Sequence, residues 1–341
     1  MKSKVIFWGF GCLLVALLMI SILGCQGEEV TPSPDKENGA EEPAGTNGEA
    51  DSAEEEKLTV AVSIVPQKTF VEKIGGDLVD VVLMVPPGYS PATYEPTPQE
   101  IEEFSDADLY FSIGVPTEEG NILPHAEDIS GLDVVHMQKV VEEEFPVRKM
   151  NGEEHEHNGH EDDHDHDDDH AHDDHDHDHG GRDPHIWLSP QRAQLMVETM
   201  ADEMADHDET NREIYQENAS AYVEELQELD EHLEETFAEL DIRKFIVFHP
   251  AYGYLADDYD LEMHALEYDG KEAPPEKREE IVDLAQEEDI RTIFYQDEID
   301  SQLTEQFAEE IGGKTHELAP LAPDYIDNLK SMADTMAEVM E

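Results

Sequence analysis

Apolar residues recur along this chain in short β-rich runs separated by amphipathic stretches. In the first half the runs are 58–65, 79–85, 109–113 and 134–137, with helical patterns at 69–74 and 98–104. In the second half they are 245–248, 261–266, 292–295 and 315–318, followed or preceded by amphipathic segments at 275–285, 303–311 and 323–340. Such alternation predicts parallel sheets covered by helices. Between the halves, Tyr222, Leu226, Leu229, Leu233, Phe237 and Leu240 recur at spacings of three and four against an acidic face, the mark of one long amphipathic helix. With Asn211 as its cap, the helix runs over 211–240 and is about 45 Å long at ~1.5 Å per residue. The stripe is also compatible with a coiled-coil dimer seam, but it holds only about three heptads. A single bilobal chain with a helical spine accounts for it better.

The N-terminus adds a compartment. Lys2 and Lys4 precede an apolar run from Val5 to Leu23, which closes on Ile22-Leu23-Gly24-Cys25. This is the layout of a secretory signal peptide, and the Ile-Leu-Gly-Cys ending resembles a lipobox, whose cysteine becomes a lipidated N-terminus. An uncleaved single-helix anchor is the alternative, since the run approaches spanning length. Residues 26–56 are mainly Glu, Pro, Ser, Gly, Ala and Asn with almost no apolar side chain, a composition that predicts a disordered tether. Cys12 and Cys25 are the only cysteines. A mature domain then has neither a disulfide nor a thiolate ligand, so a metal site must use histidine and carboxylate.

Charge excludes one class of partner. The formal net charge is −66, and phosphate backbones need basic patches, so nucleic acid is not a ligand. The acid is spread widely: residues 151–183 hold only 15 of the 86 acidic groups. Glu224, Glu225, Glu228, Glu231, Glu234 and Glu235 line the outer face of the spine helix. Repulsion across such a surface is weakly screened at low salt, where the Debye length is ~30 Å at 0.01 M against ~3 Å at 1 M. A halophilic or salt-tolerant source is the expectation.

Three proline- or glycine-bounded segments, and one tract, hold the candidate chemistry. His155, His157, His160, His164, His166, His170, His172, His175, His177 and His179 alternate with acidic residues. The density of imidazoles predicts weak, multi-site metal binding. The His-Glu-x-x-His spacing at His160–His164 lacks the apolar helix that a zincin needs and is read as chance. Directly after the tract comes Asp183-Pro184-His185-Ile186-Trp187-Leu188-Ser189-Pro190. The other two segments are Pro86-Pro87-Gly88-Tyr89-Ser90-Pro91-Ala92-Thr93-Tyr94-Glu95-Pro96-Thr97-Pro98 and Phe248-His249-Pro250-Ala251-Tyr252-Gly253-Tyr254. Two belong to the first lobe and one to the second. At the carboxyl ends of strands, where open α/β sheets bind ligands, they would face each other across a cleft. His125, His136, His264 and His316 are read as structural.

These segments resemble the zinc/manganese-type metal-binding subunits of ABC transporters, the high-affinity zinc uptake proteins in particular. The resemblance runs from about Leu58 to Glu341. It is strengthened by Gly114-Val115-Pro116-Thr117-Glu118, Leu266-Glu267-Tyr268-Asp269-Gly270-Lys271-Glu272 and Ile293-Phe294-Tyr295-Gln296. It implies an α/β protein of two lobes with mainly parallel sheets covered by helices, joined by one long spine helix, with the metal cleft between the lobes. By the same resemblance His185 and His249 are ligands, His249 favouring zinc, and Asp300 supplies an acidic ligand from the second lobe. Where the family reads Ser-Pro-His-Thr-Tyr-Glu-Pro, this chain has Ala92 in place of the first histidine. Zinc needs about four donors, three from protein when one position stays open. His185, His249 and Asp300 meet that count, Glu95 or Tyr94 is the candidate to replace the lost imidazole, and Glu298 is a further candidate ligand.

The expected organisation is a signal peptide over 1–24, a lipidated tether over 25–56 and a first lobe over 57–210 that includes the His/Asp loop 151–181. A linker helix over 211–240 and a second lobe over 241–341 complete it. The expected function is capture of Zn²⁺, with Mn²⁺ as the alternative, outside the cytoplasmic membrane. A monomer anchored through Cys25 would deliver the ion to an ABC permease and its cytoplasmic ATPase, and no catalysis is expected. Binding should weaken below about pH 6.5 as histidine protonates. A metal-buffering adhesin would use the same fold, whereas a metallohydrolase would need a general base that no motif supplies.

Overall fold

The computed structural model describes residues 57–150, 181–268, 271–296, 298 and 301–340. Cys25, the ten tract histidines and Asp300 lie outside the described residues. No helix among the described residues is long and apolar enough to cross a membrane.

The first lobe is built from β1 (Leu58–Val62), α1 (Val65–Gly75), β2 (Val79–Leu83), α2 (Pro98–Phe104), β3 (Leu109–Ser112), α3 (Leu123–Ala126), β4 (Asp133–His136) and α4 (Met137–Glu144). Its four strands pair in parallel in the order β2-β1-β3-β4, with Val60 opposite both Val81 and Leu109, and Phe111 opposite Val135. Helices cover both faces of such a sheet, so its strands read as apolar runs rather than alternations; all four residues of β3 are buried.

Two long helices follow, α5 (Pro190–His207) and α6 (Arg212–Ala238). The second lobe then adds β5 (Lys244–Val247), α7 (Gly253–Asp258), β6 (Glu262–Ala265), β7 (Glu267–Tyr268), β8 (Lys271–Glu272), α8 (Pro275–Glu287), β9 (Thr292–Tyr295), α9 (Ser301–Glu310), β10 (Lys314–Glu317) and α10 (Tyr325–Met340). Its main sheet is also parallel, in the order β10-β9-β5-β6, while β7 and β8 form a small antiparallel hairpin. The expected two-lobed α/β architecture is what the chain forms.

One hydrophobic core is common to both lobes. It runs from Val60 and Phe111 through Met196 and Met200 of α5 and Leu226, Leu229 and Leu233 of α6 to Phe245, Leu255 and Met336. The α6 stripe is buried as its spacing predicts, and the six glutamates opposite it are exposed.

Local chemistry moves some boundaries. The run at 58–65 ends as a strand at Val62, because the Gln67 side chain accepts from the Ser63 and Ile64 backbone N–H groups and starts α1 in the extended end of the run. Thr97 and Glu100 cap α2 reciprocally, with Pro98 at its first position, as the sequence Thr-Pro-Gln-Glu favours. Asn211 stands at the start of α6, yet its amide donates to Asp208 at 2.6 Å and caps nothing. The elements α3, α4, α7 and the β7–β8 hairpin have no counterpart in the sequence pattern.

A buried cation fastens α7 to the first lobe. The Arg192 guanidinium of α5 lies 4.9 Å from the Phe145 ring centre and 4.5 Å from that of Tyr254. It also donates to Asp258 at 2.7 Å, in a pair only 5% and 10% exposed. Arg148 adds a second link, donating to Asp257 at 2.6 and 2.7 Å.

Candidate metal centre

His185 follows Asp183-Pro184 and opens a single 3-10 turn, Ile186–Leu188, that leads into α5. Asp183 Oδ1 accepts from the His185 backbone N–H at 3.0 Å and faces its Nδ1 at 2.7 Å. One carboxylate therefore sets both the backbone turn and the ring. The Asp183 side chain is wholly buried, with the Arg148 Nε 3.5 Å from its other oxygen. Gly253 allows this packing: a Cβ there would stand 2.0 Å from Arg148 Nε and 2.7 Å from Asp183 Oδ2.

His249 comes from the other lobe, two residues beyond the end of β5. Its Nδ1 lies 3.1 Å from Glu267 Oε2 on β7. Each imidazole thus directs its Nδ1–H to a carboxylate and leaves Nε2 as a lone pair, the arrangement that orients metal-binding histidines. The two Nε2 atoms are 3.3 Å apart. Two lone pairs cannot share a hydrogen bond. Their separation instead matches the edge of a tetrahedron, since two Zn–N bonds of ~2.0–2.1 Å at the tetrahedral angle place the nitrogens about 3.3 Å apart. Burial, opposed by the neighbouring Asp183 carboxylate, holds the His185 imidazole below its ordinary range, which keeps it neutral and able to ligate.

The pair faces a cavity of about 360 Å³. Its wall includes Ser90, Ala92, Thr93, Val115 and Pro116 from the first lobe and Glu267, Gln296, Glu298, Pro320 and Leu321 from the second. Glu298 therefore reaches the site's surroundings. Tyr94 and Glu95 do not: the Tyr94 hydroxyl bonds both Glu100 oxygens at 2.8 Å, and Glu95 is exposed outside the lining. His125, His136, His264 and His316 are also outside it. Among the described residues, no group of three His, Cys, Asp or Glu side chains converges on one point.

The cavity wall at Gly114–Pro116 is held from below. Glu118, fully buried, accepts from the Ile113 and Gly114 N–H groups at 2.8 and 2.7 Å and from the Ser63 hydroxyl. Burial outweighs these donors and pushes its carboxyl up to about 7. A carboxyl whose folded value lies above its unfolded one stabilises most below the unfolded value, near 4.3, and the contribution is lost as pH rises through about 7. The stability difference between the native chain and Glu118→Gln should therefore shrink by up to ~3 kcal/mol from pH 5 to pH 8. Denaturant titrations at both pH values check this; a constant difference contradicts it.

The parts that sequence reasoning missed are the orienting groups. Asp183 sits two residues before His185, a spacing that could have signalled the carboxylate–histidine pair. Glu267 lies in the Leu266–Glu272 segment with no local sign of its role, and neither Arg148 nor Gly253 carries one.

The model of the family described as "ZnuA: Zinc-uptake complex component A periplasmic" matches residues 60–339. The chain belongs to the ZnuA family. It is 30% identical over 314 residues to the high-affinity zinc uptake system protein ZnuA of Bacillus subtilis (strain 168), covering 86% of this chain and 91% of that one. The manganese-binding lipoprotein MntA of Halalkalibacterium halodurans is 26% identical over 305 residues, again covering 86% and 91%. A crystal structure of ZnuA superposes with a TM-score of 0.71 at 31% identity, covering 84% of this chain and 100% of that one. A zinc-bound ZnuA deletion mutant gives the same score and identity, covering 84% and 99%. Members of the ZnuA family are solute-binding components of metal uptake rather than an enzyme class.

Proposed function

We propose that this chain captures Zn²⁺ between His185 and His249 and hands it to an ABC permease driven by a cytoplasmic ATPase, catalysing nothing itself. The observation that carries the reading is the pair of carboxylate-backed Nε2 atoms 3.3 Å apart, one from each lobe. A carboxylate of the second lobe is the expected third donor, Asp300 or Glu298, the latter lining the cavity. Two imidazoles favour zinc over manganese, which prefers oxygen donors. Competitive titration against chelators tests this: tight zinc binding with weaker manganese binding is expected, and a preference for manganese would overturn it.

The orienting carboxylates should matter almost as much as the ligands. Glu267→Gln replaces the acceptor at His249 Nδ1 with an amide and is expected to weaken zinc binding ~10–100-fold. The same titration reads it, and unchanged affinity would remove Glu267 from the site.

The Ile22-Leu23-Gly24-Cys25 sequence supports attachment to the outer face of the membrane through Cys25, with residues 26–56 as tether, and the chain acts as a monomer. The His/Asp tract serves as an accessory collector, and Lys149 and Arg182 bridge its flanks in antiparallel fashion beside the cavity. The net charge of −66 fits a salt-rich medium. The melting temperature should accordingly rise between low and molar salt, as screening relieves repulsion among the exposed glutamates; a flat response would count against a halophilic source.

A further inference from the structure

Glu118 is a fully buried carboxyl whose hydrogen bonds come from neutral groups alone. It accepts from the Ile113 and Gly114 N–H groups at 2.8 and 2.7 Å and from the Ser63 hydroxyl. Ser63 Oγ in turn lies 2.8 Å from the Tyr110 hydroxyl. Tyr110 is the titratable group that faces Glu118 from β3, and burial holds its phenol well above the ordinary range and so neutral. Glu119, its neighbour in sequence, is exposed. Burial without an opposite charge favours the neutral acid, and for Glu118 it outweighs the donors. The two hydroxyls let either form be bonded. Ser63 donates to the carboxylate; when Glu118 is neutral, its O–H donates to Ser63 Oγ, which turns its own hydrogen to Tyr110.

This group stands directly behind the metal cavity. Glu118 Oε2 bonds the Gly114 N–H, and Gly114 lines the same cavity as His185 and His249. One peptide group therefore separates the carboxyl from that space. Across ~10 Å, at an effective dielectric of ~20, a dication favours a carboxylate over its neutral form at least tenfold. We propose that Glu118 is a proton-exchanging counter-charge for the ion, giving its proton to solvent as a divalent cation enters the cleft. It touches no metal and acts through the field alone. Coupling is reciprocal, so the ionised carboxyl tightens zinc binding by the factor with which zinc favours its ionisation. This rests on the zinc reading above and adds to it a proton that comes from no histidine.

Proton release on adding one equivalent of zinc to the unbuffered full chain, counted by pH-stat, tests the proposal. The difference between the native chain and Glu118→Gln isolates this group, because the histidines contribute to both. With the carboxyl at about 7, a tenfold coupling gives roughly half a proton more from the native chain near pH 6.5, and about a tenth at pH 5 or pH 8. Between those limits the native zinc affinity should rise nearly ~10-fold more than that of Glu118→Gln. Ser63→Ala removes a donor to the charged form, so the maximum of release should move to higher pH; this variant reads the coupling even where Glu118→Gln fails to fold. Equal proton counts in the native chain and Glu118→Gln, or a profile unmoved in Ser63→Ala, would overturn the proposal, and His249-dependent zinc binding would leave the zinc reading standing. A zinc affinity lowered in Glu118→Gln by the same factor at every pH would show a structural role only and would also overturn it. Zinc binding that His249→Ala does not weaken would overturn both.

Discussion

Replacing His249 by alanine is expected to weaken zinc binding at least ~100-fold, because loss of a ligand must exceed the ~10–100-fold cost of losing a group that merely orients one. The substitution removes one of two nitrogens at the tetrahedral edge and leaves Glu267 without the ring it orients. The fold should barely respond. His249 is in contact with the cavity rather than packed in the common core, which ends at Val247 and resumes at Ala251. Competitive titration with a chromophoric chelator measures the loss, and a melting curve confirms that the chain remains folded. A His249→Ala chain whose tight site is unchanged would place the ion elsewhere.

Arg192→Ala is expected to give the largest loss of stability, ~3–5 kcal/mol, the cost of leaving a buried charge without its partner. Asp258 is 10% exposed, and its other oxygen already lacks a partner. The cation also fills the space between the Phe145 and Tyr254 rings, so packing is lost with the charge. For a domain of this size the melting temperature should fall by roughly 6–20 °C. Removing Asp258 as well should recover part of the loss, because no unpaired carboxylate then remains. Arg192→Lys should recover less than a conservative change suggests, since an ammonium cannot stack as a planar guanidinium does. Additive losses in the double variant would show that the pair is not coupled.

This clamp has a consequence for the site. Arg192 lies one turn into α5, which begins just after the His185 turn, and Asp258 ends α7, which begins just after His249. Arg148 runs parallel to it, tying Asp183 and Asp257. The 3.3 Å spacing of the two imidazoles is thus braced from behind by two arginines joining the segments on which the histidines ride. Arg192→Ala should therefore loosen metal binding as well as the fold, through geometry alone.

Much of this was legible in the sequence because parallel strands and a long amphipathic helix leave strong periodic signals. β9 and α2 fall at the residues their patterns gave, and the α6 stripe from Tyr222 to Phe237 is buried throughout. His185 and His249 stood out through their proline- and glycine-bounded settings. What stayed hidden depends on distance along the chain. Glu267 meets His249 across 18 residues and Arg148 meets Asp257 across 109, and no local pattern encodes such contacts. Tyr94 shows the opposite failure. A ligand-like residue beside Ala92 looked available in sequence, but Glu100, one helical turn into α2, takes its hydroxyl. The same carboxylate caps the helix through Thr97, so capping chemistry decided where Tyr94 points.

The most direct test separates the cleft from the tract. The Met150 N–H bonds the Gly181 carbonyl at 2.6 Å, so residues 151–180 can be excised and the flanks joined by a short turn. Competitive zinc titration of that shortened chain should show one tight site with the affinity of the full chain, and this site should vanish on His185→Ala or His249→Ala. If excision of the tract abolished all tight binding while the chain stayed folded, the ion would belong to the tract histidines, and the two-histidine cleft would not be the functional centre.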